Sequence, residues 1–182
     1  MTRDSVHRLA LGLLVALFAS LAFLPGLPGD FVFDDLPNIS TNDAIQLTEL
    51  STEALARVVS TPQLSGTTRA LPTLSFALDY WRSGGADPLA FKTTNVALHA
   101  ATAFALAWLF RSLLLAAGVP AGRTRWLAPA LALAWAVHPL QVSSVLYVVQ
   151  RIQTMGTLFL VLALLAYLHA RRAQIAGRPG RT

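Results

Sequence analysis

Seven polar residues in a largely apolar chain have types and spacings suited to chemistry. Asp34 and Asp35 are adjacent carboxylates, just past the first apolar segment, in the run Asp30-Phe31-Val32-Phe33-Asp34-Asp35-Leu36-Pro37-Asn38-Ile39. Charge beside hydrocarbon must be hydrated, paired or used, so the pair marks a site where membrane meets water. A turn or helix start is the competing role, given Pro37 and Asn38; the position at the membrane edge favours the functional one. Asn95 and His99 are four residues apart and share one helix face. They either contribute to such a site or hydrogen-bond a neighbouring helix. His138 precedes Pro139, as a bend residue or a site residue. Gln150 is followed by Arg151, whose planar guanidinium can grip phosphate oxygens in bidentate fashion or serve as an interfacial anchor.

The elements that must position these groups are membrane helices. The chain has 182 residues, 54% of them apolar and only 13% charged, which sits poorly with a soluble globule. An uncharged run over 9–27 is about as long as a bilayer crossing needs. It reads as an uncleaved helix rather than a signal peptide, because Leu24-Pro25-Gly26-Leu27-Pro28 offers no small-x-small cleavage site. Further spans are expected at about 94–117, 126–145 (kinked or ended near 138, where Pro139 removes a donor) and 152–170. The expected fold is therefore all-α and integral to the membrane, with four transmembrane helices.

An outer loop over 28–90 is expected to be partly helical. Within it, Leu50, Ala54, Leu55, Val58 and Val59 recur at near-helical spacing up to the breaker Pro62, and a second apolar-faced stretch covers 71–81. These stretches either lie flat on the bilayer or form the small core of an extramembrane loop. Every acid except Asp4 falls between Asp30 and Asp87, whereas Arg3, Arg8, Arg111, Arg123, Arg125, Arg171, Arg172, Arg178 and Arg181 flank apolar runs. That segregation places both termini in the cytoplasm and the 28–90 loop outside, in periplasm or lumen. The net charge of +5 is thus topological; no basic stripe with interleaved aromatics points to nucleic acid. Cysteine is absent, which excludes disulfides and thiolate chemistry. No metal-binding motif is recognisable, and membrane lipid is the expected partner.

Taken in order, several segments resemble the N-terminal part of the transmembrane and tetratricopeptide-repeat O-mannosyltransferases and their bacterial relatives. They are the 31–39 run above, Leu74-Ser75-Phe76-Ala77-Leu78-Asp79-Tyr80, FKTTNVALH over 91–99, His138-Pro139-Leu140-Gln141, Tyr147-Val148-Val149-Gln150-Arg151 and the apolar stretch over 162–168. The resemblance runs over about 9–170. It implies the GT-C fold of membrane glycosyltransferases, which use polyprenyl-phosphate-linked sugars. It also implies that an acid in the first outer loop acts as general base or, in some branches, as a metal ligand. That role falls on Asp34 or Asp35, with Asp34 preferred. By the same analogy Arg151 and His138 contact the donor phosphate, and Gln150, Asn95 and His99 stand beside them. Departures from the family pattern are the loss of acids around Val142-Ser143 and at Gln153, and Lys92 where a histidine is usual. They lead to the expectation of a module incomplete or inactive alone. A non-catalytic membrane protein binding lipid or a partner membrane subunit is the alternative.

Overall fold

A computed structural model describes residues 3–61 and 69–177; Pro62, Arg178 and Arg181 lie outside the described residues. Among the described residues there are helices and turns but no strand. The α-helices are α1 (Arg3–Leu21), α2 (Thr52–Ser60), α3 (Ala70–Ser83), α4 (Pro88–Ala116), α5 (Ala121–Ala136), α6 (Gln141–Leu146) and α7 (Arg151–Ile175). Three helical stretches, Arg3–Gly26, Pro88–Ala116 and Val148–Ile175, are long and apolar enough to cross a bilayer. Leu13, Leu17, Leu160 and Tyr167 are exposed along them, as lipid-facing side chains must be. The chain is a membrane protein.

The segment expected as a fourth span takes a different form. α5 ends at Ala136 and α6 is separate, because His138-Pro139 interrupts the helix. With 16 residues, α5 is about 24 Å long, short of the ~30 Å of a hydrocarbon core.

The chain divides into two compact units. One holds residues 3–22, 98–139 and 156–177, that is α1, most of α4, α5 and most of α7. Its core is rich in alanine, with Ala19, Ala103, Ala107, Ala132 and Ala136 around Val15, Leu106, Leu109 and Val161. Small residues let helix backbones approach in lipid, where the hydrophobic effect between helices is absent. Gly12 of α1 illustrates the fit: a Cβ there would lie 2.5 Å from Trp108 and 2.9 Å from Phe104.

The other unit holds residues 23–61, 69–97 and 140–155. α2 starts at Ser51, whose hydroxyl accepts from the Ala54 N–H at 3.1 Å, and α3 ends on Gly84 in the left-handed conformation at φ 71°. Ala54 and Val58 of α2 and Phe76 and Ala77 of α3 are buried with Ile39, Ile45, Leu47, Phe91 and Val148. Both apolar-faced stretches of the loop thus contribute to a core rather than lying wholly flat on a bilayer. Leu71, Leu78 and Trp81 remain exposed on α3.

Candidate functional site

The acidic pair lies in the second unit, on a turn with an unusual backbone. Phe33 has φ 46°, a left-handed conformation that costs a side-chain-bearing residue about 1–2 kcal/mol. A π-helical turn, Leu36–Ser40, follows the pair, and the Asn38 side chain donates to the Asp34 carbonyl at 2.8 Å. Between these two features the aspartates part company. Asp34 is exposed, whereas Asp35 is fully buried.

Asp35 acts as a pin. Its carboxylate accepts from the Val149 N–H at 2.7 Å and from the Val148 and Val32 N–H groups, each at 3.3 Å. Burial pushes its carboxyl above the ordinary carboxylate value, against the pull of those three donors and of the Lys92 charge. Lys92 itself donates to the Gly29 carbonyl at 2.6 Å. The Asp34 backbone is held from the other side, since its N–H donates to the Tyr147 hydroxyl at 2.9 Å. Desolvation, with Asp34 and Asp35 nearby, lifts the Tyr147 phenol above its usual range. Tyr147 therefore stays protonated at neutral pH. The Phe33 ring packs edge-on to Tyr147, centroids 6.4 Å apart.

Beneath this turn lies a buried polar hub centred on Arg151. Its Nε donates to Asn95 Oδ1 at 2.6 Å, one terminal nitrogen to Ser75 Oγ at 3.2 Å, and the other to the Phe91 carbonyl at 2.8 Å. That last nitrogen also pairs with Asp79 Oδ2 at 2.7 Å. The guanidinium lies 4.5 Å from the Phe76 ring centroid, in cation–π range. Asp79 Oδ1 in turn accepts from Arg82 at 2.8 Å and from the Thr94 hydroxyl at 2.7 Å. Asn95 completes the hub by donating to the Val145 and Val148 carbonyls at 3.0 and 3.2 Å. These bonds join α3, the first turns of α4, α6 and the start of α7.

Of the seven candidate residues, Asp34, Asp35, Asn95, Gln150 and Arg151 thus fall in one unit. His99 and His138 fall in the other. Arg151 is fully buried with its nitrogens committed to protein partners, so in this arrangement it is a structural centre with no face open to a phosphate. Asn95 and His99 each bond another helix: His99 Nε2 is 2.9 Å from the Ala136 carbonyl and its ring stacks on Trp135 at 5.0 Å. Gln150 is half-buried and His138 exposed. Two residues matter that were not singled out, Asp79 and Tyr147. Asp79 had a signal in being the one acid within the apolar-faced stretch over 71–81. Among the described residues no three histidine, aspartate or glutamate side chains come together to hold a metal ion. Asp34 and Asp35 do not chelate jointly either, since one is exposed and the other holds backbone N–H groups.

No protein-family model matches the sequence, and no solved structure matches it. Among curated proteins, the chain is similar to Protein O-mannosyl-transferase TMTC4 of Homo sapiens, 32% identical over 170 residues, and to Protein O-mannosyl-transferase TMTC4 of Mus musculus, 31% identical over 170 residues. These matches take in 88% and 87% of this chain and 23% of each relative. The chain therefore spans about a quarter of the length of the curated relatives it matches.

Proposed function

We propose that this chain forms the first membrane module of a glycosyltransferase in which Asp34 is the general base. The sugar would come from a polyprenyl-phosphate donor, on the GT-C pattern, and pass to an acceptor on the outer face. As the name of the relatives implies, the sugar is mannose and the acceptor a protein hydroxyl. One observation carries this reading: the buried Asp35 anchors the turn through three backbone N–H groups and leaves its neighbour Asp34 exposed on fixed backbone. A general base needs hydrogen-bond reach and a held geometry. In the transfer, the acceptor oxygen bonds to the anomeric carbon and the bond from that carbon to the phosphate oxygen breaks. Asp34 takes the hydroxyl proton and polyprenyl phosphate leaves. Tyr147, protonated and hydrogen-bonded to the Asp34 N–H, holds the backbone that carries the carboxylate. Arg151 contributes as a positioning residue, and Gln150, half-buried, is the candidate residue of this unit left to meet the donor phosphate.

The accompanying topology has four crossings, both termini in the cytoplasm and 28–90 outside, with α5 as the short crossing. Trp126, exposed near the start of α5 beneath the Arg125 guanidinium at 5.0 Å, suits an interfacial position. Transfer from polyprenyl-phosphate mannose, measured in membranes carrying wild type, Asp34→Asn or Asp35→Asn, tests the mechanism. Asp34→Asn is expected to lower transfer by about 10²–10⁴-fold while the protein remains folded. Equal, non-zero transfer in all three would remove the pair from the mechanism. A wild type that is folded yet neither transfers nor binds the donor would favour the non-catalytic alternative.

A further inference from the structure

In the unit that contains α1 and α5, three arginines from three helices converge on one cleft. Arg8 of α1, Arg111 near the end of α4 and Arg125 of α5 line a cavity of about 190 Å³, together with Asp4 and His7. The charge there is unbalanced. Asp4 is the only acid in the lining, and among the described residues no ion pair engages any of the three arginines. Arg8 donates to the backbone carbonyl of Asp4 at 3.0 Å and to Ser5 Oγ at 2.9 Å. A fourth cation, Arg172, lies within electrostatic reach of Arg111. Its own guanidinium donates to the Ser112 carbonyl at 2.5 Å. Three cations around one cavity with a single carboxylate among them leave a net positive site for an anion.

A second observation says what kind of anion. The same three arginines border another cavity whose further walls include Leu11, Gly12, Ala107, Trp108 and Ala128. The cationic mouth thus borders an apolar crevice of only about 20 Å³, at the ends of two helices long enough to cross a bilayer, and Leu9, Leu113 and Leu127 are exposed on the same three helices. Free phosphate would use the mouth alone; a lipid would also cover those exposed leucines. We propose that this cleft binds an anionic glycerophospholipid, with its phosphate between Arg8, Arg111 and Arg125 and its acyl chains against the exposed apolar side chains of the three helices. Basic pockets at the membrane surface recognise lipid headgroups in this way.

The test measures lipid binding to the full chain in mixed micelles, by native mass spectrometry and by the shift in melting temperature. The probes are phosphatidylglycerol, phosphatidylcholine and inorganic phosphate. Phosphatidylglycerol is expected to bind and stabilise most. Arg111→Gln and Arg125→Gln should each weaken that binding roughly fivefold, corresponding to about 1 kcal/mol per charge near a membrane surface. Arg125 is exposed, so its variant carries the test if Arg111→Gln does not fold. Arg123→Gln, an exposed neighbour outside the cleft, should leave the affinity unchanged. Equal binding of the two lipids, or equal weakening by Arg123→Gln, would overturn the proposal. So would inorganic phosphate matching the stabilisation by phosphatidylglycerol.

Discussion

Asp34 and Asp35 are one bond apart in the chain and opposite in environment. The pair was visible in the sequence because few acids stand so close to an apolar run. Which of the two is buried was not visible. That depends on the left-handed backbone at Phe33, and a phenylalanine gives no signal for a conformation usually taken by glycine. The three N–H donors of Asp35 come partly from Val148 and Val149, more than a hundred residues away and beyond any local pattern. The buried carboxyl has a folded-state pKa above the ordinary 3.8, so the folded chain holds this proton more tightly than the unfolded chain does. Its contribution to stability is complete below the unfolded value and is lost as pH rises through the folded one. Between about pH 4 and pH 7, the melting midpoint of wild type in detergent should therefore fall relative to that of Asp35→Asn. A rising difference would contradict the assignment. Asp35→Ala, which strips the acceptor from three N–H groups, should cost about 2–3 kcal/mol near pH 4 and progressively less as pH rises.

At the scale of elements, α3 and α7 are joined through Asp79 and Arg151. A buried ion pair need not be a net gain over an apolar pair, but removing one partner strands the other. Arg151→Met and Asp79→Leu are each expected to destabilise by about 3–5 kcal/mol, and the double variant by clearly less than their sum. Additive losses, measured by thermal unfolding in detergent, would show that the two side chains are not coupled. The loop helices were legible from periodicity alone: Ala54 and Val58 sit where the spacing put them, against α3. The partners of Asn95 and His99 were foreseen only as a class, since shared helix faces say that two residues look the same way but not at what. Arg151 read as an anion holder because sequence displays its charge and hides Asp79, 72 positions earlier. The break at His138-Pro139 followed from proline chemistry, while the shortness of α5 reflects an end at Ala136 earlier than the apolar pattern required.

For the whole molecule, the separation of arginines from acids gives the topology proposal a direct test. The chain has no cysteine, so single cysteines can be placed without background. Asp43→Cys, in the loop, should react with a membrane-impermeant maleimide in intact cells, whereas Gln174→Cys should react only after permeabilisation. Equal reactivity before permeabilisation would place both on one side and remove the four-crossing arrangement. Hydropathy made the membrane class plain. The number of crossings was less plain, because α5 falls near the length at which composition no longer distinguishes a crossing from a buried helix.

The Arg151 hub also sets an order of events during synthesis. A chain made from its amino end presents Asp79 first, then Phe91 and Asn95, and only after the next 56 positions the guanidinium that bonds Asn95. Until then Asp79 can draw on Arg82 and Thr94 alone. The unit that holds this hub therefore has no finished interior until the start of α7 has been made. Arg151 acts as a closing latch, supplied by a segment made well after the rest of the hub.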